Sequence, residues 1–396
     1  MNSTIDSVVC AACGCLCENV TVRIEHGVIS EVDGACKLCA ERLIGQTAGE
    51  ANSPRIQSAS DILAQSRAPL VYGMNDSTVE AQRAAIALAE RLGAIIDLAI
   101  PDFHRASLQA TQSVGLSTCT LGEVRQRADV VVFWGSDPSV THPALLERIS
   151  SPRVAGRYVV SIDSKTPGYS VDEFLQVDAE GTMAALAALR ANVAGVALDA
   201  VHQQHEQLQR LATRLLGAEY SVVFFGPGVG GVVELESLFR LVRQLNEQSR
   251  CVAIGLGGTQ CENVLTWQTG YPHAVNFAAG YPQYDPIGYT ANTVLERGQV
   301  DAAVVINGHG LLELSDRALV HLERIPVILL DWPDSHWSIK AKVKINIALP
   351  GVHCAGTVFR MDAVPICMRA IFLDSPLPTA ECILTAIHQG IHASCV

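Results

Sequence analysis

The chain has 396 residues, of which 49% are apolar, 5% aromatic and 17% charged. This length exceeds what one hydrophobic core usually serves, so we expect two or three domains. The formal net charge is −12 and no run of Lys and Arg occurs, which argues against nucleic acid and anionic membranes as partners.

Two features predict a soluble, cytoplasmic protein. The N-terminal sequence MNSTIDSVVCAACGC has no basic segment followed by an apolar stretch, so it does not resemble a secretory signal. The chain also lacks a window of about 18 uninterrupted apolar residues, the length that a membrane-spanning helix requires. The small charged fraction further favours burial of part of the surface against partner subunits.

Residues 1–55 are predicted to form a small Cys-rich β domain. The segment Glu18–Gly34 alternates apolar and polar residues around His26-Gly27, which predicts a two-stranded β-hairpin. Six of the thirteen cysteines fall between residues 10 and 39. An odd total that is clustered at one end indicates metal ligation rather than a disulfide framework.

The spacing of these thiols allows more than one metal. Cys10, Cys13, Cys17 and Cys36 have a spacing that can surround a [4Fe–4S] cluster. Cys10, Cys13, Cys36 and Cys39 instead form two knuckles that can hold Zn²⁺ tetrahedrally. A third interpretation is a domain without metal, in which the thiols only pack. Spacing alone leaves all three open.

From residue 56 the pattern becomes one of alternating strands and helices. Short apolar runs at Pro69–Tyr72, Val130–Trp134 and Tyr158–Asp163 predict buried strands, and Val79–Leu92 predicts an amphipathic helix. Strands that alternate with helices of 10 to 15 residues are typical of a parallel sheet with helices on both faces.

The second half of the chain repeats this order. Three pairs of segments correspond: 221–246 with 70–92, 294–310 with 123–137, and 325–331 with 157–163. We therefore predict an α/β fold with two Rossmann-like, doubly wound parallel-sheet domains, at residues 56–215 and 216–396.

Glycine-containing turns follow several of these strands, where ligands of such sheets usually bind. The turns are Trp134–Pro138, Gly226–Gly228, Gly255–Gly258 and Asn307–Gly310. The segment 226–231 superficially resembles a dinucleotide-binding loop and raises the possibility of a small-molecule binding protein. However, Pro227 lies within it and no well-placed acidic residue follows. We therefore interpret these glycines as tight strand-to-helix turns.

Four blocks of sequence carry a family resemblance. They are VVCAACGCLCENVTV at 8–22, VGLSTCTLGEVRQRADVVVFWGSDPSVTHP at 114–143, NVLTWQTGYPHAVNFAAGYPQYDP at 263–286 and GTVFRMDAVP at 356–365. In this order they resemble the B subunit of formylmethanofuran dehydrogenase, a short member of the molybdopterin oxidoreductase group. The resemblance implies a molybdopterin-type fold and assigns Cys10, Cys13, Cys17 and Cys36 to an iron–sulfur cluster.

The resemblance also locates a missing metal ligand. In that family a Cys-His pair shortly before the second block supplies the sulfur that binds tungsten or molybdenum, and the pair corresponds to Phe103 and His104 here. A phenyl ring has no lone pair for a metal. We therefore predict a degenerate site without tungsto- or molybdopterin, in which His104 is a satisfied polar residue and no residue is catalytic. The alternative is that Asp102 supplies a carboxylate ligand after a one-residue backbone shift.

A B-type scaffold without its metal ligand resembles the corresponding subunit of the formyltransferase/hydrolase complex of methylotrophic bacteria. That resemblance implies a non-redox role in one-carbon metabolism, where formyl passes from tetrahydromethanopterin to a furan carrier and is hydrolysed to formate. The implied partners are an A-type zinc amidohydrolase subunit, a C-type subunit and a D-type formyltransferase subunit.

A polyglutamate tail on the furan carrier is a further implied partner, which Arg105, Lys340, Lys342 and Lys344 are expected to meet. The alternative function is a redox-active tungsten or molybdenum subunit of formylmethanofuran dehydrogenase.

Overall fold

A computed structural model describes residues 2–50, 54–154, 156–196, 204–333, 335, 337 and 339–394. Residues 51–53, beside the predicted boundary at residue 55, lie outside that range. The N-terminal elements are β1 Ser3–Cys10, β2 Cys17–Glu25, β3 Val28–Asp33 and α1 Lys37–Leu43. Next come α2 Ile56–Gln65, β4 Pro69–Gly73, α3 Val79–Leu92, β5 Ile95–Leu98 and α4 Asp102–Val114. They are followed by α5 Leu121–Arg127, β6 Val130–Trp134, α6 Pro138–Thr141, α7 Leu145–Ile149, β7 Tyr158–Asp163 and β8 Glu173–Gln176.

The later elements continue the alternation. They are α8 Thr182–Val193, α9 His205–Leu216, β9 Ser221–Phe225, a 3₁₀ turn at Pro227–Val229, α10 Val232–Leu245 and β10 Cys251–Gly255. After them come α11 Glu262–Thr269, β11 Val275–Asn276, β12 Gln283–Tyr284, α12 Ala291–Glu296, β13 Ala302–Ile306, a 3₁₀ turn at Gly308–Glu313, α13 Asp316–Leu322 and β14 Val327–Asp331. The last are β15 Val343–Asn346, β16 Gly356–Phe359, β17 Pro365–Met368 and α14 Ala380–Ser394.

The Cys-rich unit is a three-stranded antiparallel sheet in the order β1-β2-β3. The predicted hairpin is confirmed: β2 and β3 pair through the two-residue turn His26-Gly27, whose φ angles are +53° and +82°. Positive φ at both positions is what a two-residue turn between twisted strands requires. β1 adds a third strand that the sequence did not predict, because its irregular register interrupts the alternation of buried and exposed side chains.

Two larger sheets form the body of the described chain. Sheet I has five parallel strands in the order β10-β9-β6-β7-β8. Sheet II has the order β12-β11-β5-β4-β13-β14-β15, parallel from β5 to β15 and antiparallel at the edge that β11 and β12 form.

Helices cover both faces of each sheet. Leu186, Leu211 and Leu238 from α8, α9 and α10 pack on one face of sheet I, while Leu121 and Leu145 pack on the other. Sheet II likewise lies between two apolar clusters, one with α2, α3 and α14 and one with α12 and α13. The predicted α/β fold with doubly wound parallel sheets is confirmed. Within the described ranges, no helix combines the length and the apolar character needed to traverse a bilayer.

The sequence repeats correspond to equivalent strands in the two sheets. The predicted domain boundary after residue 215, however, does not separate sheet I from sheet II. Sheet I is built within residues 130–255, and this segment is inserted between the two parts of sheet II, 69–98 and 275–346. In each sheet a two-strand unit joins a three-strand unit: β4 and β5 match β9 and β10, and β13 to β15 match β6 to β8. A repeat identifies equivalent strands, whereas the partner that a strand pairs with depends on long-range packing.

The Cys-rich loop of residues 11–16 packs against sheet I. The carbonyl oxygen of Gly14 accepts a hydrogen bond from Met361 N at 2.9 Å. A Cβ atom placed on Gly14 lies 2.3 Å from the carbonyl oxygen of Gly257, so the two backbones are as close as glycine permits. Arg148 adds a hydrogen bond to the Leu16 carbonyl and an ion pair with Glu18.

We predict that Gly14→Ala lowers the free energy of unfolding by about 1–3 kcal/mol, because the new methyl group overlaps backbone atoms that cannot rotate away. Urea unfolding monitored by circular dichroism measures the change. Gly258→Ala is the matched control, since a Cβ atom placed on Gly258 has nothing within 4 Å and the φ of this residue is not positive. Equal effects of the two substitutions would contradict the proposed contact.

Candidate functional site

The candidate site lies where the first turn of α4 meets the turn that follows β10. His104 Nε2 is 3.0 Å from Glu262 Oε1, and the two side chains are 17% and 7% exposed. The His104 ring also lies against Gly257, where a Cβ atom would come within 3.1 Å of Nδ1. In the described part of the chain Glu262 Oε2 is buried without a hydrogen-bond partner. The result is a buried imidazole–carboxylate pair between the two sheets.

Burial alone would lower the pKa of His104, but the Glu262 carboxylate outweighs burial and raises it. The pairing with Glu262 therefore shifts the His104 equilibrium toward the imidazolium form. His142 stands on the other side of the same turn and donates from Nε2 to the Gly257 carbonyl at 2.9 Å. Burial lowers the pKa of His142, so this ring favours the neutral form.

Phe103 points away from this pair. Its ring contacts Phe225 edge to face with a centroid distance of 5.9 Å, and it packs with the apolar cluster on one face of sheet I. Successive helical side chains differ by about 100° in direction, so Phe103 and His104 reach different surroundings. The ring offers no donor to a metal and already has apolar neighbours. The residues present at this position therefore do not fit a tungsten or molybdenum centre.

Asp102 is the first residue of α4 and is exposed. Its charged surroundings are Arg105 and Glu313, since the Asp102 carboxylate acts on the pKa of both. Burial is the larger cause of the raised pKa of Glu313 and Asp102 the next. These effects place Asp102 near Arg105 of the same helix and near Glu313 at the end of the 3₁₀ turn that follows β13. They give no support to a ligand that shares a metal with His104.

A second buried pair, which the sequence analysis missed, fixes α4 to sheet II. Asp97 is fully buried and accepts from both Arg105 terminal nitrogens at 3.1 Å, while backbone Ala274 N and Ala291 N donate to the same carboxylate. Arg105 also contacts His273 Nδ1 at 3.1 Å. An Asp within the apolar strand sequence IIDL was the available signal, because a carboxylate there needs a cation.

This pair corrects one expectation from the sequence. Arg105 is 12% exposed and its terminal nitrogens are committed to Asp97 and to the Leu98 carbonyl. It does not present a free charge to a polyglutamate tail. Burial alone would raise the pKa of Asp97, but the Arg105 guanidinium and hydrogen bonds outweigh burial and lower it to about 2.

Protein atoms lie against most glycines of the predicted turns, whereas the space in front of Gly258 is open. Gly228 N donates to the Gly135 carbonyl at 2.8 Å, and Gly226 lies against the Ser136 side chain, so these two turns of sheet I pack on each other. This agrees with their interpretation as tight turns. In sheet II, Gly308 lies against the Trp337 indole, which donates from Nε1 to Asp331 at 2.6 Å.

The N-terminal thiols separate into two groups. Cys10, Cys17 and Cys39 are buried in the core of the Cys-rich unit, and Cys36 packs against that core. Cys15 instead belongs to the apolar cluster on sheet I, where Cys13 packs beside it. No three His, Cys, Asp or Glu side chains in the described ranges are arranged so that they hold a metal as they stand.

The four thiols that the resemblance assigns, Cys10, Cys13, Cys17 and Cys36, lie near one another: burial raises the pKa of Cys17 to about 12, and the neighbouring Cys36, Cys13 and Cys10 thiols add to that rise. The Cys15 thiol hydrogen-bonds Cys13 and lowers the pKa of Cys13 to about 7, which shows that the Cys13 sulfur faces Cys15. Four thiols are the donor set of a [4Fe–4S] cluster, and that assignment stays a prediction, as does the zinc set of Cys10, Cys13, Cys36 and Cys39.

Comparisons with solved structures define the class of protein. A chain of acetylene hydratase from Pelobacter acetylenicus superposes with a TM-score of 0.55 and 10% identity, covering 98% of this chain and 69% of that chain. This match shows the fold alone. Together with the two doubly wound sheets and the Cys-rich unit, it defines a chain of molybdopterin-enzyme fold. No protein-family model matches the sequence.

More similar proteins identify the family. The B subunit of tungsten-containing formylmethanofuran dehydrogenase 2 from Methanocaldococcus jannaschii is 30% identical over 423 aligned positions, covering 96% of this chain and 97% of that protein. The B subunit of the formyltransferase/hydrolase complex Fhc from Methylorubrum extorquens is 29% identical over 258 positions, covering 63% and 70%. The chain belongs to the family of formylmethanofuran dehydrogenase B subunits.

The fold agrees with this assignment. The crystal structure of the M. extorquens formyltransferase/hydrolase complex FhcABCD, in complex with methylofuran, contains a chain that superposes with a TM-score of 0.73 and 26% identity. The match covers 87% of this chain and 98% of that chain. The predicted resemblance to both groups is thus confirmed.

We predict that Asp97→Asn lowers the free energy of unfolding at neutral pH by about 3–5 kcal/mol, because Arg105 loses its buried counter-ion. The folded-state pKa of Asp97 is depressed, so its contribution is present above the ordinary Asp pKa and is lost as pH falls from about 4 through about 2. Urea unfolding across that pH range should show wild type and variant converging. Asp102→Asn, on the helix that carries Arg105, is the matched control and should change stability by less than about 0.5 kcal/mol.

We predict that Glu262→Gln lowers the pKa of His104, because the carboxylate that favours the imidazolium is removed. The folded-state pKa is raised in the wild type, so the pair stabilises the fold below the ordinary His pKa and stops doing so as pH rises through the raised value. NMR titration of the imidazole measures the shift, with the His104 signal assigned by its loss in His104→Asn. Glu90→Gln, at an exposed position of α3, should leave the titration unchanged. An unaltered pKa in Glu262→Gln would contradict the pairing.

Proposed function

We propose that the chain is a non-redox structural subunit of a cytoplasmic, heteromeric complex. The complex would transfer formyl from tetrahydromethanopterin to a furan carrier and hydrolyse it to formate. The family membership and the superposition on a chain of FhcABCD support a subunit of a multi-protein assembly. In this proposal the chain holds A-type amidohydrolase, C-type and D-type formyltransferase subunits in register and has no active site of its own.

The observation that carries the proposal is the position of Phe103. The resemblance assigns the sulfur ligand of the metal to this residue, and the ring packs against Phe225 in an apolar cluster. The neighbouring His104 is occupied by Glu262. A tungsten or molybdenum pterin would supply two-electron chemistry when bound, but Phe103 has no donor atom for the metal. We therefore assign no redox step to this chain.

The turn glycines support the same proposal. Glycine after a strand commonly lets a ligand phosphate approach the backbone. Here Gly135 approaches Gly228, and Gly308 approaches Trp337. The space in front of these glycines is used for contacts within the protein, which stabilise the scaffold.

A surface contact with the carrier is part of the proposal. Three exposed lysines lie at the edge of sheet II: Lys340 and Lys342 precede the edge strand β15, and Lys344 lies within it. Positive charge at this edge is suited to a polyglutamate tail, with an interaction that weakens as salt increases. Lys344 also donates to the Ser335 carbonyl at 2.9 Å.

The second candidate is a redox-active tungsten or molybdenum subunit. It is favoured by the 30% identity with a tungsten-containing dehydrogenase subunit over 96% of the chain. This candidate requires another ligand in place of Phe103, and Asp102 is the nearest carboxylate in sequence. The exposed position of Asp102 beside Arg105 and Glu313 gives it no observed support.

The native complex, purified from cells grown with both tungstate and molybdate, distinguishes the two candidates. We expect tungsten and molybdenum far below the amount of this chain by inductively coupled plasma mass spectrometry. We also expect conversion of formyl-tetrahydromethanopterin to formate without an electron acceptor, and co-purification of the other subunits. Stoichiometric tungsten or molybdenum, or formate oxidation coupled to viologen reduction, would establish the redox candidate instead.

A further inference from the structure

An aromatic pocket of about 300 Å³ lies beyond the carboxyl end of β14 and shares no residue with the His104–Glu262 pair. Trp332 and Trp337 line the pocket, and His309 forms a third wall. The His309 ring is nearly perpendicular to both indoles, at centroid distances of 5.7 Å and 5.3 Å. Ligands of parallel sheets usually bind beyond the carboxyl ends of the strands. The size and the aromatic walls suit one substituted aromatic ring.

Polar contacts hold both indoles in place. The Arg42 guanidinium lies 4.9 Å from the centroid of the Trp332 ring and pairs with Asp76 at 3.5 Å. The Trp337 Nε1 group donates to Asp331 Oδ2 at 2.6 Å. The walls of the pocket are therefore fixed by contacts within the protein, so a ligand orders few side chains when it binds.

The pocket also contains a buried carboxylate. Asp331 lines it and is only 1% exposed. The groups that donate to this carboxylate, the Trp332 backbone N–H and the Trp337 indole, are neutral. Within the described ranges, no Lys, Arg or His side chain forms an ion pair with Asp331. A ligand that carries a protonated amine would supply the missing positive charge, and aromatic faces attract the same charge.

The lysine edge of sheet II adjoins this pocket. Ser335 lines the pocket, and its carbonyl oxygen accepts a hydrogen bond from Lys344 Nζ at 2.9 Å. Lys344 lies in β15, which pairs directly with β14, and Lys342 immediately precedes that strand. An aromatic pocket with a buried carboxylate thus lies next to exposed positive charge. This combination suits a ligand with an aromatic amine at one end and carboxylates at the other.

We propose that this pocket binds the furan carrier after its formyl group has been removed. The furan ring lies between Trp332, Trp337 and His309, its ammonium group faces Asp331, and the carboxylates of its tail extend along the lysine edge. The inference rests on the proposed function, in which an amidohydrolase subunit releases formate from the carrier. Hydrolysis of a formyl amide leaves an amine, which is protonated near neutral pH, whereas the amide is neutral. The pocket therefore selects the deformylated carrier and holds it on the complex between reaction cycles.

Isothermal titration calorimetry of the purified native complex tests the proposal, with a synthetic aminomethylfuran linked to triglutamate as the probe. We expect one class of sites present once per copy of this chain, in addition to sites on other subunits. His309→Ala should abolish that class, and Asp331→Asn should weaken it by at least about tenfold. The matching alcohol, in which a hydroxyl group replaces the amine, should bind the wild-type class at least about tenfold more weakly. Trp267→Ala is the matched aromatic control, 70% exposed on α11, and should leave the class unchanged.

The tail is tested separately. A Lys342→Glu/Lys344→Glu double variant should bind the probe about tenfold more weakly, with a smaller dependence on salt concentration. Lys165→Glu, at an exposed position after β7, is the matched control and should bind the probe as the wild type does.

Equal numbers of sites in the wild type and in His309→Ala would overturn the proposal, as would equal affinities for the amine and the alcohol. Because Asp331 also holds Trp337, Asp331→Asn can lose its fold, and the exposed His309 then supplies the deciding variant. Formate production and metal content of the same complex test the proposed function separately. A complex that forms formate without an electron acceptor, but loses no site in His309→Ala, contradicts the pocket alone. Stoichiometric tungsten or molybdenum contradicts the non-redox role, while the number of sites in His309→Ala still decides the pocket.

Discussion

Helix α4 joins the two sheets, and most of the described architecture depends on that connection. The helix follows β5 of sheet II, yet Ala106 and Ala110 are buried in the core beside sheet I, with Phe103 and Val114 packed against them. On another side of the same helix Arg105 binds the buried Asp97 of sheet II. Helix α4 therefore packs an apolar face on sheet I and forms a buried ion pair with sheet II. Each of these two attachments limits how far the helix can move at the other. The geometry of the His104–Glu262 pair follows from this double attachment.

The attachment of α4 to sheet I explains the physical role of the phenyl ring at position 103. Residues 103, 106, 110 and 114 recur at the spacing of one helical face. A sulfur at position 103 would interrupt that apolar face with a polarisable ligand, whereas the ring continues it into contact with Phe225. In the proposed non-redox role, the phenyl ring at this position contributes packing between α4 and sheet I instead of a metal ligand.

Local features of the fold were predictable because they depend on neighbours in sequence. The strands at 130–134 and 158–163 and the helix at 79–92 have apolar patterns that need no distant partner for recognition. The inserted order of the sheets was not predictable, because β4 pairs with β13 from the far end of the chain. The candidate site was likewise predictable only where it depends on local sequence. The substitution at 103 was visible by resemblance, but Glu262 lies 158 positions from His104 and no local pattern connects them. The grouping of the thiols likewise needed the packing of residues 11–16 on sheet I.

The insertion of sheet I has a consequence for biogenesis. Residues 130–255 can complete sheet I as soon as the ribosome has released them, but the centre of sheet II waits for β13. Until then the β4 strand, which is buried along its whole length in the finished protein, has an open edge. An apolar strand with an unpaired edge readily joins other chains. The interval between synthesis of the two halves of sheet II is therefore the period in which the nascent polypeptide is most exposed to aggregation at this edge.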